Sequence, residues 1–84
     1  MDIDAKNKTR AFLASRLEEH HDRAPFRDDE SLFVSGRLDS LAMTKVIAFL
    51  EESFGVDFAD VSFDVELVDS VDAIETFLAS VEPR

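Results

Sequence analysis

The stretch Ser35-Gly36-Arg37-Leu38-Asp39-Ser40-Leu41 decides how the chain is organised. It begins with turn-forming residues and ends on an Asp-Ser pair, and an apolar-periodic segment follows at once. Asp39 is a good N-cap, because its side chain can accept a hydrogen bond from the first turn of a helix. The pattern therefore predicts a helix over residues 40–54 with the hydroxyl of Ser40 at its exposed start.

This central helix has one apolar face, and Gly55 follows it as a natural terminating residue. The buried stripe is expected to consist of Met43, Val46, Ile47, Leu50 and Phe54. Leu41 lies too close to the helix start for this stripe to cover it. We therefore expect Leu41 to be exposed, and an exposed Leu beside the candidate site favours contact with a partner.

Two further helices are predicted, over residues 3–20 and 70–81, from apolar residues spaced three and four apart. The expected caps are Asp2 or Asp4 for the first and Asp69 or Ser70 for the last. The expected buried faces are Ile3, Ala5, Thr9, Phe12, Leu13 and Leu17 in the first helix, and Val71, Ile74, Phe77, Leu78 and Val81 in the last. Three long helices and one short element predict a small all-α bundle.

The connections between these helices are less regular. Residues 21–39 form a long connection, because Pro25 does not allow the first helix to continue. Its apolar anchors are expected to be Leu32, Phe33, Val34 and Leu38. Gly36 is expected to adopt a positive φ or to permit close approach. Residues 61–67 alternate as in a strand, but no other segment could pair with one, so a short helix or irregular turn around residues 60–66 is preferred.

The composition limits the classes of function. The 84 residues carry a formal net charge of −10, and residues 39–84 hold eleven acids against only Lys45 and Arg84. This field repels nucleic acid and anionic membranes, so neither is expected as a partner, although a plain acidic, soluble surface explains it equally well. The chain has no Cys, no apolar start typical of a signal peptide and no apolar run that could span a bilayer. A cytoplasmic, monomeric single domain over residues 1–84 is expected.

The residues alone leave three roles open for Ser40. It can be an ordinary residue of a first helical turn. It can be a catalytic nucleophile, but the only candidate bases are His20 and His21, and the Gly-x-Ser-x-Gly pattern is missing. It can also carry a phosphodiester, because the N–H groups and the positive dipole end of a helix N-terminus stabilise a phosphate without a basic side chain.

His20-His21-Asp22 is similar to a run of metal ligands. However, adjacent histidines point to different sides of a helix, and no third ligand is evident. An exposed helix end, where protonated His suits the helix dipole, is the better interpretation, so no metal site is expected.

The segment Asp39-Ser40-Leu41 before an amphipathic helix, with Phe54-Gly55-Val56 closing it, resembles the acyl and peptidyl carrier proteins. The resemblance covers nearly the whole chain and implies an acyl-carrier-like bundle of three long helices plus a short third helix. It also implies that Ser40 receives a 4′-phosphopantetheine arm from coenzyme A, whose thiol holds a cargo as a thioester. A phosphopantetheinyl transferase would then recognise Asp39 and Leu41, with Asp39 near its Mg²⁺. Such a protein is a carrier and not an enzyme.

The pattern around Ser40 differs from that of fatty-acid carriers, which tend to have acids two and five residues after the serine. This chain has Ala42 and Lys45 there, although Glu51 and Glu52 match the acids at the far end of that helix. A second set of residues is similar to the D-alanyl carrier proteins: Leu32-Phe33, Gly36, Leu38-Asp39-Ser40, Ala42, Val61-Ser62-Phe63-Asp64, Asp69-Ser70 and Ile74. The chain departs from that family at Leu41, where Met is usual, and near Val68, where Trp is missing.

This second resemblance implies an activated amino acid or a small acyl group as cargo. An adenylating ligase, of the adenylation-domain type or similar to an aminoacyl-tRNA synthetase, would load it, and a downstream enzyme would accept it. The expected docking surface is the exposed face of Leu41, Thr44, Lys45 and Ala48, with Asp39 and Ala42 as further recognition residues. Lys45 is expected to pair with an acid on the partner. The alternatives are a fatty-acyl or polyketide carrier and a helical interaction subunit without the arm.

Overall fold

All regular structure in the described part of the chain is helical. The computed structural model describes residues 2–58 and 63–80. Helix α1 spans Ile3–Glu19, α2 spans Ser40–Phe54 and α3 spans Val71–Ser80, and a 3₁₀ helix at Val65–Val68 precedes α3. The all-α class is thereby confirmed. None of the helices in these ranges is both long and apolar enough to cross a lipid bilayer.

The ends of the helices follow local capping chemistry. The carboxylate of Asp2 accepts a hydrogen bond from the N–H of Ala5 at 2.8 Å and caps α1. The hydroxyl of Ser70 accepts from the N–H of Ala73 at 3.0 Å and caps α3. Gly55 ends α2 in the left-handed region, with φ 68°. At each of these three helix ends, the capping residue is one that was predicted from the sequence.

The described 3₁₀ helix overlaps the end of the short element predicted around residues 60–66. The 3₁₀ helix begins at Val65, where the carboxylate of Asp64 accepts from the N–H of Glu66 at 2.9 Å. Residues 59–62, which hold much of the predicted element, lie outside the described residues. Val65 and Leu67, which alternate in the sequence as in a strand, belong to this helical turn. A turn of this kind satisfies its backbone without a neighbouring strand.

The core is formed by all three helices and by the long connection. Its fully buried large side chains are Leu13, Leu17, Leu32, Leu50, Ile74, Val46, Val68, Val71 and Thr9. The rings of Phe12 and Phe49 stack at 4.2 Å between centroids and join α1 to α2. The rings of Phe58 and Phe77 stack at 5.5 Å and join the segment after α2 to α3. Such ring pairs add to the stabilisation that burial provides.

Two residues that were predicted to be buried are exposed instead. Ile3 is 65% exposed, because the buried positions of α1 begin only at Thr9 and its first turn extends past the core. Val34 is 66% exposed. It lies in a tight turn in which the N–H of Gly36 bonds the carbonyl of Phe33 at 3.1 Å, and this turn directs Val34 to solvent. Val81, the last predicted core residue of α3, lies outside the described residues.

The long connection is held in place by Arg37. Its side chain is only 17% exposed, and its Nε lies 2.9 Å from the carboxylate of Asp22. Its Nη1 donates to Glu30 at 2.6 Å, and its Nη2 donates to the carbonyl of Ala24 at 2.8 Å. Gly36, next to it, has φ +88°, as the sequence predicted. The connection therefore reaches α2 along a fixed path.

Candidate functional site

The candidate site is the first turn of α2. The carboxylate of Asp39 accepts a hydrogen bond from the N–H of Ala42 at 3.0 Å, which makes Asp39 the N-cap and Ser40 the first helical residue. The side chain of Ser40 is exposed. The hydrogen bond from Ala42 holds the pKa of Asp39 below its ordinary value, so an ionised carboxylate stands beside the Ser40 hydroxyl at neutral pH.

An apolar groove of about 420 Å³ opens beside Ser40. Three segments line it: the long connection, α2 and the segment around the 3₁₀ helix. The lining residues are Phe33, Leu38, Asp39, Ser40, Met43, Phe63 and Val65. A larger groove of about 490 Å³ lies between α1 and residues 22–26, but it contains neither Ser40 nor any residue next to it. The candidate site is therefore the groove of about 420 Å³, because Ser40 is one of its lining residues.

Asp69 fixes one wall of this groove. Its carboxylate accepts from the N–H of Phe33 at 2.6 Å, from the N–H of Val34 at 3.0 Å and from the hydroxyl of Ser31 at 2.5 Å. Burial alone would raise the pKa of Asp69, but these hydrogen bonds outweigh it, and the pKa lies below its ordinary value. In the sequence, Asp69 was a candidate cap of α3, and nothing in its spacing indicated these contacts 35 to 38 residues away.

A second, smaller cleft lies on the other side of the helix start. It has a volume of about 200 Å³, and its lining residues are Arg16, Glu19, His20, Leu41, Ala42 and Lys45. Within the chain, Lys45 contacts the carboxylate of Glu19 at 3.0 and 3.1 Å. The Nη1 of Arg16 lies 3.0 Å from the same carboxylate. Hydrogen bonding to Lys45 holds the pKa of Glu19 below its ordinary value.

The predicted docking residues do not all lie on the surface. Leu41 is 65% exposed, as predicted, and Thr44 and Ala48 are exposed on the same helix. Ala42 is only 3% exposed, because it lies on the side of α2 that faces the core. Ala42 therefore packs inside the protein, and its assignment to the recognition surface was wrong.

His20 lies near the site and contacts Asp39. The Nε2 of His20 lies 3.5 Å from the carboxylate of Asp39. Among the residues that the structure describes, no hydrogen bond joins the Ser40 hydroxyl to His20 or His21. Over residues 2–58 and 63–80, no three His, Cys, Asp or Glu side chains are grouped so that they could hold a metal ion.

Comparison of the chain with models of known protein families, with curated proteins and with solved structures found no match. The function is therefore inferred from the residues and geometry of the site.

Proposed function

We propose that this chain is a carrier protein whose Ser40 bears a 4′-phosphopantetheine arm. The observation that carries this proposal is the exposed hydroxyl of Ser40 at the first position of a helix that Asp39 caps. The arm supplies a terminal thiol, on which an activated amino acid or a small acyl group is held as a thioester. The 3₁₀ helix takes the place of the short third helix in a four-helix carrier bundle.

The surroundings of Ser40 suit an attached phosphodiester. A phosphate on the first residue of α2 lies at the positive end of the helix dipole. The apolar groove beside Ser40 offers Phe33 and Met43 to the uncharged part of the arm. The chain itself contains no Cys, so a thiol chemistry on this protein requires a group that is added after synthesis.

The attachment step uses the Ser40 hydroxyl as the nucleophile. Its oxygen forms a bond to the phosphorus of the pantetheine phosphate in coenzyme A, and the bond between that phosphorus and the oxygen of the nucleotide phosphate breaks. The nucleotide bisphosphate leaves with the electron pair, and the hydroxyl proton goes to a base on the phosphopantetheinyl transferase. Asp39 and Leu41 border Ser40 and supply the contacts by which the transferase recognises the serine.

Partner enzymes dock on the exposed face of α2. Leu41 provides an apolar contact, and Thr44 and Ala48 are small enough to let another protein approach closely. An adenylating ligase loads the carrier, and a downstream enzyme takes the cargo. The value of the tether is physical, because it keeps a reactive group at high effective concentration near each docked enzyme.

An amino acid or small acyl group is the favoured cargo. Lys45 occupies a position where fatty-acid carriers tend to have an acid, so α2 has a base there instead, and this base pairs with Glu19 of α1. The lining of the groove includes Asp39, whose carboxylate suits a polar cargo better than a long hydrocarbon chain. A fatty-acyl or polyketide cargo is the alternative, and long-chain acyl groups on the protein from its native cell would contradict the favoured cargo.

Intact-mass measurement after incubation with coenzyme A and a phosphopantetheinyl transferase tests the proposal. We expect the wild type to gain the mass of one phosphopantetheine group and Ser40→Ala to gain none while remaining folded. Thr76→Ala is the matched control, because Thr76 is an exposed hydroxyl on α3 and is not part of the proposed docking face, so this variant should still be modified. An unmodified wild type would refute the carrier function.

The other candidate is a helical interaction subunit without the arm. The exposed side chains of Leu41 and Phe63 near the groove favour a binding surface of some kind, and they fit this candidate as well. Mass spectrometry of the protein from its native cell separates the two functions. An arm on Ser40 identifies a carrier, and its absence identifies an interaction subunit.

A further inference from the structure

One residue ties together two of the three segments that line the groove beside Ser40. The side chain of Asp69 accepts hydrogen bonds from Ser31, Phe33 and Val34, and its own carbonyl accepts from the N–H of Leu32 at 2.8 Å. Asp69 therefore holds four consecutive residues of the long connection. It also follows directly after the 3₁₀ helix, which carries Val65 on the groove lining.

The contacts of Asp69 connect two walls of the groove. Phe33 and Val65 line the groove from two different segments, and Asp69 joins those segments. Beneath the tie, Leu32 and Val68 are both fully buried, so the base of each segment is anchored in the core. Above it, Phe33 is half-buried against the core and Val34 is exposed, so apolar contacts hold Val34 only weakly.

We infer that Asp69 is a positioning residue that sets the width of the groove and thereby the place of the arm on Ser40. This inference rests on the proposed function, because the groove matters only if an arm leaves Ser40. Helix capping does not account for the contacts of Asp69, because Ser70 provides the cap of α3. A carboxylate that accepts three hydrogen bonds holds a loop more firmly than a neutral acceptor does.

Asp69→Ala tests the inference, with Ser70→Ala as the matched control. Both substitutions remove a hydrogen-bond acceptor just before α3, but the described bond of the Ser70 side chain is a local one, to the N–H of Ala73. Amide hydrogen exchange of Phe33 and Val34 should be faster by at least about tenfold in Asp69→Ala than in the control. Asp69→Asn should lie between them, because its amide oxygen still accepts from both backbone N–H groups. Asp69→Asn also serves as the test variant if Asp69→Ala does not fold.

The methyl group of Met43 reports on the arm itself. Met43 lines the groove, and the chain has only one other methionine, so methyl labelling of methionine gives a simple NMR spectrum. Attachment of the arm should shift the Met43 methyl signal in the wild type and in Ser70→Ala. In Asp69→Ala the shift of the Met43 methyl signal on attachment should be less than about half of the wild-type shift, because the groove no longer holds the arm against Met43.

Unchanged exchange at Phe33 and Val34 in folded Asp69→Ala would overturn the inference. Faster amide exchange in Asp69→Ala, combined with the same arm-induced shift of the Met43 methyl signal as in the wild type, would overturn it too. The groove would then open without releasing the arm. The exchange measurement uses the unmodified chain. A wild type that accepts no arm contradicts the proposed function, whereas unaltered exchange contradicts the role of Asp69 alone, so the two failures are distinguishable.

Discussion

The ammonium group of Lys45 lies 3.0 Å and 3.1 Å from the two carboxylate oxygens of Glu19, so α2 and the end of α1 are joined beside the candidate site. Arg16 lines the same cleft as this pair and contacts the same carboxylate, so these three side chains together carry one positive charge. A partner that docks there can also make apolar contact with Leu41, which is 65% exposed.

The contact that Leu41 is proposed to make with the transferase can be tested without changing the stability of the fold. Leu41→Ala should leave the free energy of unfolding nearly unchanged, because the side chain is already exposed. It should lower kcat/KM for transfer of the arm by about tenfold, because docking would no longer bury a leucine side chain. Steady-state kinetics with the transferase, together with denaturant unfolding, measure both effects.

Ile3→Ala is the control for this prediction. Ile3 is also 65% exposed, but it lies at the opposite end of α1 from Glu19, which contacts Lys45. Its replacement should change neither kcat/KM nor stability. An equal loss of kcat/KM in both variants would show that exposed apolar area in general, and not the position of Leu41, governs docking.

Arg37 fixes the connection through its planar guanidinium, so lysine should not replace it well. Arg37→Lys keeps the charge but cannot reach Asp22, Glu30 and the carbonyl of Ala24 together. We expect the free energy of unfolding to fall by about 1 kcal/mol. Arg27→Lys is the control, because the side chain of Arg27 is 81% exposed and its only described ion pair is with Asp29. Equal stability of the two variants in urea unfolding would disprove the role of Arg37.

The end of α1 contains a residue in an unfavourable conformation. His21 has φ +60°, its N–H bonds the carbonyl of Glu18 at 2.9 Å, and the N–H of Asp22 bonds that of Leu17 at 3.0 Å. This pair of bonds is the Schellman motif, in which the left-handed residue is usually Gly. His21→Gly should therefore raise the free energy of unfolding by about 0.5 kcal/mol, because it relieves the strain of a side chain at positive φ.

His20→Gly is the counterpart of this variant. His20 has φ −96°, so glycine brings no relief there and makes the unfolded chain more flexible. Thermal unfolding should give a higher Tm for His21→Gly and a lower Tm for His20→Gly. A lower Tm for both would mean that the His21 side chain makes a contact that offsets its strain.

The contacts of Asp69 also predict a pH dependence. Its pKa is lowered in the folded protein, so it contributes stability at pH values above the ordinary Asp pKa of about 4. That contribution is lost as the pH falls through the lowered value. Asp69→Asn should thus be less stable than the wild type at pH 7. This difference in free energy of unfolding should narrow below about pH 4, because the carboxyl of the wild type then becomes protonated and uncharged, as the amide of Asn always is.

Ser70→Ala provides the reference for the pH series. This substitution removes an uncharged cap, so its effect on stability does not depend on whether Asp69 is protonated. The difference in free energy of unfolding between Ser70→Ala and the wild type should therefore stay constant over the same pH range. Urea unfolding at several pH values measures both gaps. A constant gap for Asp69→Asn would show that the charge of the carboxylate does not stabilise the connection.

Local sequence was sufficient for α2 and for the position of Ser40. Asp39, Gly55 and the apolar spacing between them predicted both bounds of this helix, Ser40–Phe54, as the structure has them. The exposure of Leu41 followed from its place at the helix start, and a positive φ was one of the two roles expected of Gly36. These features depend on hydrogen bonds and steric limits that act within four residues, so the local pattern determines them.

Only the tertiary structure decided which polar groups hold the site in place. Asp69 bonds Phe33 across 36 residues, Lys45 bonds Glu19 across 26, and Arg37 bonds Asp22 across 15. No periodicity links such pairs, because their approach depends on how the helices and the long connection pack. For the same reason, the sequence placed Ala42 on the surface and Ile3 in the core, whereas the fold buries the first and exposes the second. The sequence determined where the Ser40 hydroxyl stands, and packing determined the groove and the contacts around it.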